Sequence, residues 1–342
     1  MKKKLSLLQK IEQAGLCGRG GSAYPTAKKW QLTKEFLKKA NKGFIVVNAA
    51  EGEPGVKKDA YLLEKQTAEV INGVDLAFKF LGQNKIAKVY IYLSADYYQK
   101  YHLKLKKVLA AKQYAALNKK VIFFIKPHRL SYICGEETAL LNIIEGKRIE
   151  PRPRPPFPGE KGLWKKPTLV NNVETFYSVS LIDKNDYNHE RLYTLTGALK
   201  YRQVFSLPAE YSVEEILRAT NNYPDFPFFV MTGGGVCGEI LNENQLNAPV
   251  EGSGLLMVFD KEKTDLNKLL DYWLKFYEKE SCGACTACRE GTYRLRELFE
   301  NKQVKAAMFQ DLLDNLEDSS LCSLGSSLPQ TVKSFFDNVY KK

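Results

Sequence analysis

The chain has 342 residues, 44% of them apolar and 12% aromatic, enough to bury more than one core and too much for a disordered segment. Its formal net charge of +12 raises a nucleic-acid reading, but the lysines are scattered over helical surfaces and no zinc-finger, homeodomain or RNA-recognition signature accompanies them. No apolar run approaches 18 residues, and Met1-Lys-Lys-Lys-Leu-Ser-Leu-Leu lacks the core and cleavage site of a signal peptide, so no membrane span is expected and a cytoplasmic protein is.

In chain order, residues 5–14 read as a short amphipathic helix. Gly18-Arg19-Gly20-Gly21-Ser22-Ala23-Tyr24-Pro25-Thr26 follows. Consecutive glycines let backbone amides approach a phosphate, and Pro25 suits the start of a helix whose positive end would face that anion. Lys29 adds a charge one turn on. No strand precedes this loop, which rules out the ordinary dinucleotide fingerprint; by itself it reads equally as a binding loop or a structural turn.

Residues 44–49, 86–93 and 121–125 then alternate as strands with helical stretches near 60–81, 96–117 and 136–146. Strand–helix alternation implies a mainly parallel sheet with helices on its faces and ligands at the carboxyl ends of its strands. Pro151-Arg152-Pro153-Arg154-Pro155-Pro156-Phe157-Pro158 forces an extended path, either a linker or a rigid arm lining a cleft.

From about 188 to 262 short strands, turns and one helix (213–220) suggest a small α+β module. Its Gly233-Gly-Gly235-Val-Cys237-Gly238 matches G-x-G-x-x-G, but no convincing helix follows, so it reads as a glycine turn. From Thr264 onward the pattern is helical: Leu266, Leu269, Leu270, Trp273, Leu274 and Tyr277 recur at helical spacing, and further helices are expected near 289–300, 304–316 and 327–339.

Between the first two of these four helices stands Cys282-Gly-Ala-Cys285-Thr-Ala-Cys288, with Cys322 before the last. Soft thiolates at C-x2-C-x2-C spacing plus one distant cysteine suit an iron–sulfur cubane. Structural zinc more often takes two separated pairs or pairs with histidine. The three histidines, His102, His128 and His189, lie elsewhere. Cys17, Cys134 and Cys237 remain as single thiols, a pattern of a reducing compartment, and are taken as small buried residues.

Five stretches together resemble the family of flavin-bearing, NADH-oxidising subunits of respiratory complex I, which includes the matching subunits of NAD-linked hydrogenases and formate dehydrogenases. They are the glycine loop through Trp30; Val47-Asn48-Ala-Ala50-Glu51-Gly-Glu53 to Asp59; Tyr132-Ile-Cys134-Gly135-Glu136-Glu137; the proline arm through Val170-Asn171-Asn172-Val-Glu-Thr175; and the cysteine motif with Ser320-Leu-Cys322. They occur in family order over nearly the whole chain. The resemblance implies a Rossmann-like FMN-binding α/β domain (1–187), a β-grasp, soluble-ligand-binding-like domain (188–262) and a helical [4Fe–4S] domain (263–342).

It further implies FMN held by Gly18, Arg19, Gly20, Gly21, Ser22, Lys29, Asn48, Glu51, Gly135, Glu136, Val170, Asn171, Asn172 and Thr175. NAD(H) would pack against Tyr24, Arg154 and Phe157, with Glu53 and Glu137 at its nicotinamide half. Cys282, Cys285, Cys288 and Cys322 would bind the cluster. A flavin between a two-electron donor and a one-electron acceptor is chemically necessary. The implied partner is a thioredoxin-like [2Fe–2S] protein, with further Fe–S, hydrogenase or dehydrogenase subunits beyond it. Without a ligand, Glu136 and Glu137 would serve a helix dipole, Asn171 and Asn172 a turn, and Phe157 a core.

The chain departs from the family pattern at Ser22, Ala23, Tyr24 and Ala27 of the loop, at Ala50, where the family has aspartate, and at Leu32, where many members have an aromatic. At Ala23 a positive φ would cost about 1 kcal/mol or more. These substitutions raise the alternative of a degenerate member that relays electrons or serves as a scaffold through its cluster without NADH chemistry.

Overall fold

The computed structural model describes residues 5–127, 132–304 and 307–340, so His128 lies outside the described residues. Four strands, β1 (Gly43–Ala49), β2 (Ile86–Leu93), β3 (Val121–Ile125) and β4 (Thr168–Asn172), form an all-parallel sheet in the order β3-β2-β1-β4. Alternate residues of β1 face opposite layers: Ile45 and Val47 pack with the helices Thr67–Leu81 and Val173–Lys184, Phe44 and Val46 with Tyr90, Tyr92, Leu140 and Leu163. A strand covered on both sides reads as a continuous apolar run, which is why 44–49 is legible. The two helices approach so closely that a side chain at Gly73 would overlap the Phe176 carbonyl.

The fourth strand and the helix after it escape the periodicity reading. β4 ends in two asparagines, which strands disfavour. Its position matters, because β4 pairs with β1 on the side opposite β2. Strand order therefore reverses between β1 and β4, with Asn48 opposite Asn172 at their carboxyl ends. A crevice opens at such a reversal.

A second, mixed sheet holds β5 (Glu190–Gly197), β6 (Val204–Pro208), β7 (Phe228–Gly233), β8 (Glu239–Asn242) and β9 (Leu255–Asp260) in the order β6-β5-β9-β7-β8. The helix Val213–Ala219 covers one face through Val213, Ile216 and Leu217. Phe229, Met231 and Ile240 on the other face join Trp273, Leu274, Tyr277 and Phe335 of the carboxyl-terminal helices.

Those helices are Leu266–Glu280, Thr286–Glu300, Ala307–Ser319 and Ser323–Asn338. Two begin earlier than their spacing predicts. Cys285 is the N-cap of the second helix and Cys288 lies in its first turn, so the triplet is not wholly in a loop. The last, expected near 327–339, already begins at Ser323, carried by the buried Leu324 and Leu328, with Pro329 inside it.

Candidate functional site

A cavity of about 680 Å³ lies where the ends of β1 and β4, the glycine loop, the segment after β3, the turn after β7 and the last helix meet. The glycine loop is closed on itself: Gly18 N–H donates to the Tyr24 carbonyl at 2.9 Å and Thr26 N–H to the Leu16 carbonyl at 2.9 Å. It is tied to the helix after β4 by Arg19 N–H, which donates to Thr175 Oγ1 at 3.0 Å. A Cβ on Gly20 would stand 3.4 Å from Asn172 Cβ. Ala23 takes a φ of 48°, so the one alanine in this run adopts the left-handed conformation that favours glycine. Pro25 is the N-cap of the helix Thr26–Lys39, as its sequence predicts.

Of the residues singled out in the sequence, Gly18, Gly20, Gly21, Ser22, Tyr24, Lys29, Asn48, Glu53, Gly135, Glu136, Glu137, Arg154, Val170, Asn171, Asn172 and Thr175 line this cavity. Arg19 and Glu51 line a smaller one of about 160 Å³, which shares Gly20, Asn48, Glu53, Gly135 and Ser323 with the first. Phe157 is neither in the core nor on the cavity wall: it caps the short helix Pro158–Lys161 with its ring 58% exposed. The proline arm departs from the extended path its sequence predicts: it bends at residues 154–156, where the Arg154–Pro155 and Pro155–Pro156 peptide bonds are cis.

Beneath the strand ends lies a buried charge network that no periodicity announces. Lys58 Nζ contacts Asp59 Oδ1 at 2.8 Å, Asn172 Oδ1 at 2.9 Å and Glu174 Oε2 at 3.2 Å, and Lys58, Asp59 and Glu174 are all at most 3% exposed. Asn172 returns a hydrogen bond from Nδ2 to Asp59 Oδ2 and caps the following helix through Glu174 N–H. Burial pulls the Lys58 ammonium down, and Asp59, Glu174 and Glu51 together hold it above its ordinary value. Glu51 accepts from Asp59 N–H and from the Tyr97 hydroxyl; burial first, then Asp59, raise its carboxyl to about 7. Asn171 accepts from the Trp30 indole at 3.3 Å.

Three more carboxylates border the cavity. Glu136 caps the helix Glu137–Ile144 by accepting from Thr138 and Ala139 N–H, 3.8 Å from Arg154 Nη1. Glu137 pairs with Lys29 at 2.5 Å. Glu53 accepts from Val236 N–H at 3.1 Å and from the Cys237 thiol at 3.2 Å, and burial raises its carboxyl above the ordinary value.

The glycine run after β7 is a turn, as read, but it also lines the cavity through Gly233, Cys237 and Gly238. Its glycines answer close contact: a Cβ on Gly235 would overlap the Pro54 carbonyl, and one on Gly238 the carbonyls of Thr232 and Gly234. Cys237 is half-buried, as is Cys17, while Cys134 is buried. Tyr132 and Thr232 also line the wall, as do Glu239, Glu251, Ser253, Ser327 and Gln330, none of which the sequence singles out as a site residue. Tyr132 opens a motif whose glycine and glutamates draw the eye, and Thr232 carries no pattern at all.

Cys285 and Cys322 are N-caps of two helices, so two positive helix ends converge on the cysteine site. Cys288 and Cys322 are buried; burial first, with neighbouring cysteines adding to it, pushes their thiols up to about 11 and about 12. A side chain at Gly325 would overlap Ser320 Oγ and stand 3.2 Å from Cys288 Cβ, so glycine permits the close approach of the two cysteine segments. Arg148 and Arg289 donate to the carbonyls of Cys282 and Gly283. Among the described residues no three His, Cys, Asp or Glu side chains surround a single-ion position; four thiolates on one zinc would each stand about 2.3 Å from it. Ser323, next to Cys322, lines both cavities.

These residues fit the groups that the resemblance implies. The large cavity has a glycine-rich wall, the cationic Lys29 and Arg154, and a buried Thr232 hydroxyl without a partner. The cysteine site offers four free thiols beside a buried, unpartnered Ser320 hydroxyl.

Comparison with known proteins agrees with this geometry. Residues 11–181 match the Nuo51 FMN-binding domain, and residues 268–341 match the NADH-ubiquinone oxidoreductase-F iron–sulfur binding region. The chain is 30% identical to the F subunit of the NADH-quinone oxidoreductase of Aquifex aeolicus, over 92% of this chain and 80% of that one. It is 29% identical to HndC, a subunit of the NADP-reducing hydrogenase of Solidesulfovibrio fructosivorans, over 96% and 73%. A crystal structure of NAD+-reducing [NiFe]-hydrogenase in the H2-reduced state superposes with a TM-score of 0.87 at 28% identity, covering 98% of this chain and 61% of that one.

Proposed function

Because the chain belongs to the family of NADH-quinone oxidoreductase F subunits, we propose a role for each wall of the cavity in NADH oxidation. The protein is an FMN-dependent NADH dehydrogenase subunit that carries FMN and a [4Fe–4S] cluster. Flavin supplies the conversion between hydride transfer and single-electron transfer when bound.

The chain's own residues do the positioning. The amides of Gly20 and Gly21 and the positive end of the helix Thr26–Lys39 hold the flavin's phosphate, while Gly18 N–H closes the loop on the Tyr24 carbonyl and Thr175 fixes it through Arg19 N–H. Asn48, Gly135, Glu136, Val170, Asn171 and Asn172 frame the flavin body at the β1/β4 reversal, over the network of Lys58, Asp59, Glu174 and Glu51. Lys29 and Arg154 face the nucleotide's charge and Tyr24 its rings, while Glu53 and Glu137 border the nicotinamide half. Cys282, Cys285, Cys288 and Cys322 take the cluster, and Ser323 on the cavity wall beside Cys322 makes the exit path short.

Residues 1–187 thus bind flavin and nucleotide, 188–262 close the cavity with their glycine turn, and 263–342 carry electrons out. The relatives are subunits of multi-subunit assemblies, and the partner proposed here is a thioredoxin-like [2Fe–2S] protein, followed by further Fe–S, hydrogenase or dehydrogenase subunits. No helix among the described residues is long and apolar enough to cross a membrane, and a cytoplasmic location is proposed.

The observation that carries the reading is one continuous cavity wall running from the glycine loop to the residue after Cys322. Its test is an anaerobic absorbance spectrum of the chain reconstituted with iron, sulfide and FMN, before and after NADH. Bleaching of the flavin band with a fall in the broad cluster absorbance is the expected result. An assembled cluster with no retained flavin would instead favour the relay reading, which the left-handed Ala23 and the missing carboxylate at Ala50 support.

A further inference from the structure

Among the described residues, Cys237 is the only cysteine whose side chain borders the main cavity outside the cluster segment. It comes from the turn after β7, whereas Glu53 comes from the loop after β1, so their contact joins the second sheet to the first. The contact is built from several sides. The Cys237 thiol donates to Glu53 Oε2 at 3.2 Å, the Tyr132 hydroxyl donates to Cys237 Sγ at 3.5 Å, and Val236 N–H donates to Glu53 Oε1 at 3.1 Å. Glycine is demanded on both sides of the carboxylate: a Cβ on Gly234 would stand 2.5 Å from Cys237 Sγ and 2.7 Å from Glu53 Oε1, and one on Gly235 would overlap the Pro54 carbonyl. The turn therefore wraps Glu53. Its G-x-G-x-x-G spacing reflects that close approach and no pyrophosphate.

We propose that Cys237 is a positioning residue for NADH oxidation: its thiol, oriented by the Tyr132 hydroxyl, holds the Glu53 carboxylate in a fixed orientation at the cavity wall. This rests on the reading that Glu53 borders the nicotinamide. Burial and the Glu53 charge keep the Cys237 thiol protonated, so it acts as a hydrogen-bond donor and not as a nucleophile. Glu53 is otherwise faced by the Tyr132 hydroxyl and by backbone N–H groups of Gly235 and Val236, and its charge is felt at Tyr272 and at Tyr277, whose hydroxyl is bonded to the Val236 carbonyl and Ser327. Burial raises the Glu53 carboxyl and the thiol donor opposes that rise, so removing the thiol shifts the carboxyl's titration to higher pH.

The experiment compares Cys237→Ser, Cys237→Ala, Tyr132→Phe and Glu53→Gln in the FMN- and cluster-loaded chain, with flavin and iron contents matched. Infrared spectroscopy of the oxidised protein reads the contact directly: the S–H stretch that disappears in Cys237→Ser is expected at higher frequency in Glu53→Gln, because a neutral amide is the weaker acceptor. Kinetics read the role. Cys237→Ala is expected to raise the NADH KM about fivefold and move the pH profile of flavin bleaching upward, while Cys237→Ser stays within about twofold of the native enzyme. If Cys237→Ala does not load flavin, Tyr132→Phe decides, with an expected twofold or so rise in KM and the same direction of pH shift.

Native kinetics and pH profile in Cys237→Ala, or equal losses in the serine and alanine variants, would overturn the role of the thiol. Altered NADH kinetics in Glu53→Gln beside native kinetics in Cys237→Ala would overturn the Cys237 role alone. An unchanged KM and rate in Glu53→Gln would overturn the placement of Glu53, and this proposal with it.

Discussion

The cysteine site and the flavin cradle share a cavity system yet are built in opposite ways. The proposed cluster site offers four side chains of one chemical type, two of them at helix N-caps, within a spacing that the sequence displays openly. The proposed cradle is made of backbone amides, glycines that permit contact and a buried ionic network whose Lys58, Asp59 and Glu51 line the smaller cavity. A site of ligand atoms tolerates change around it and fails when a ligand is lost. A site of shape and buried charge loses function by degrees.

The largest effect that would break this contrast is at a ligand. Cys322→Ser replaces sulfur by oxygen in the same volume, so the fold is expected to survive while the fourth cluster ligand is lost. Electron delivery to a one-electron acceptor should fall about 100-fold or more. Iron and sulfide analysis should show a depleted cluster, while NADH still bleaches the flavin. Simultaneous loss of flavin in this variant would show that the two sites are not separable.

Next in size is the ionic layer under the cradle. Lys58→Met removes the cation that Asp59 and Glu174 share, leaving two buried carboxylates uncompensated, at a cost of about 3–5 kcal/mol. Urea denaturation should show the loss as a lowered midpoint with an unchanged slope. A loss below about 1 kcal/mol would mean that the network relaxes or admits water, and that the cradle is less rigid than its burial suggests.

What was legible follows from the same contrast. The strands 44–49 and 86–93 announce themselves because both faces are largely buried and the run is apolar; the half-buried edge strand 121–125 is legible from its apolar, β-branched and aromatic run alone. The cysteines announce themselves by chemistry. The short strand Thr168–Asn172 does not, because its asparagines serve the site and not the sheet: Asn172 caps a helix and bridges Lys58 to Asp59. Tyr132 and Cys237 stand inside motifs that point to their neighbours, and their own contact is hidden because each acts through a partner distant in sequence. The glycine turn could be identified as a turn, but its contact with the Glu53 and Pro54 segment is a tertiary fact. Phe157 shows what an aromatic in a proline-rich arm leaves open from sequence: it stands exposed, outside the core.

A smaller effect tests whether Glu51 belongs to the ionic layer. Its carboxyl is raised from its ordinary 4.5 to about 7, so the native state binds this proton more tightly than the unfolded chain does. The associated stabilisation is present below about pH 4.5 and is lost as pH rises through about 7. Glu51→Gln should remove that slope. Urea midpoints of the native protein and the variant, compared at about pH 5 and about pH 8, should diverge by about 1–3 kcal/mol. Parallel pH dependence in the two proteins would place the titration elsewhere in the network.

The smallest effect sits on the glycine loop, and it decides between the two readings of this chain. Ala23 holds a φ of 48°, where a Cβ costs about 1–2 kcal/mol. Glycine at that position relieves the strain but adds freedom to the unfolded chain worth about 0.4–1 kcal/mol. Ala23→Gly should therefore stabilise the protein by only about 0.5 kcal/mol, close to the limit of a denaturation experiment. Flavin affinity is the sharper readout, because the loop, closed by the Gly18 to Tyr24 hydrogen bond, carries this strain in the structure without ligand, and affinity reports whether the bound state carries more. If the strain is the same in both states, FMN binding changes less than about twofold and Ala23 is a tolerated substitution in a working flavoenzyme. If FMN binds about tenfold more tightly to the glycine variant, the alanine opposes the bound conformation in particular, and the relay reading gains its physical cause.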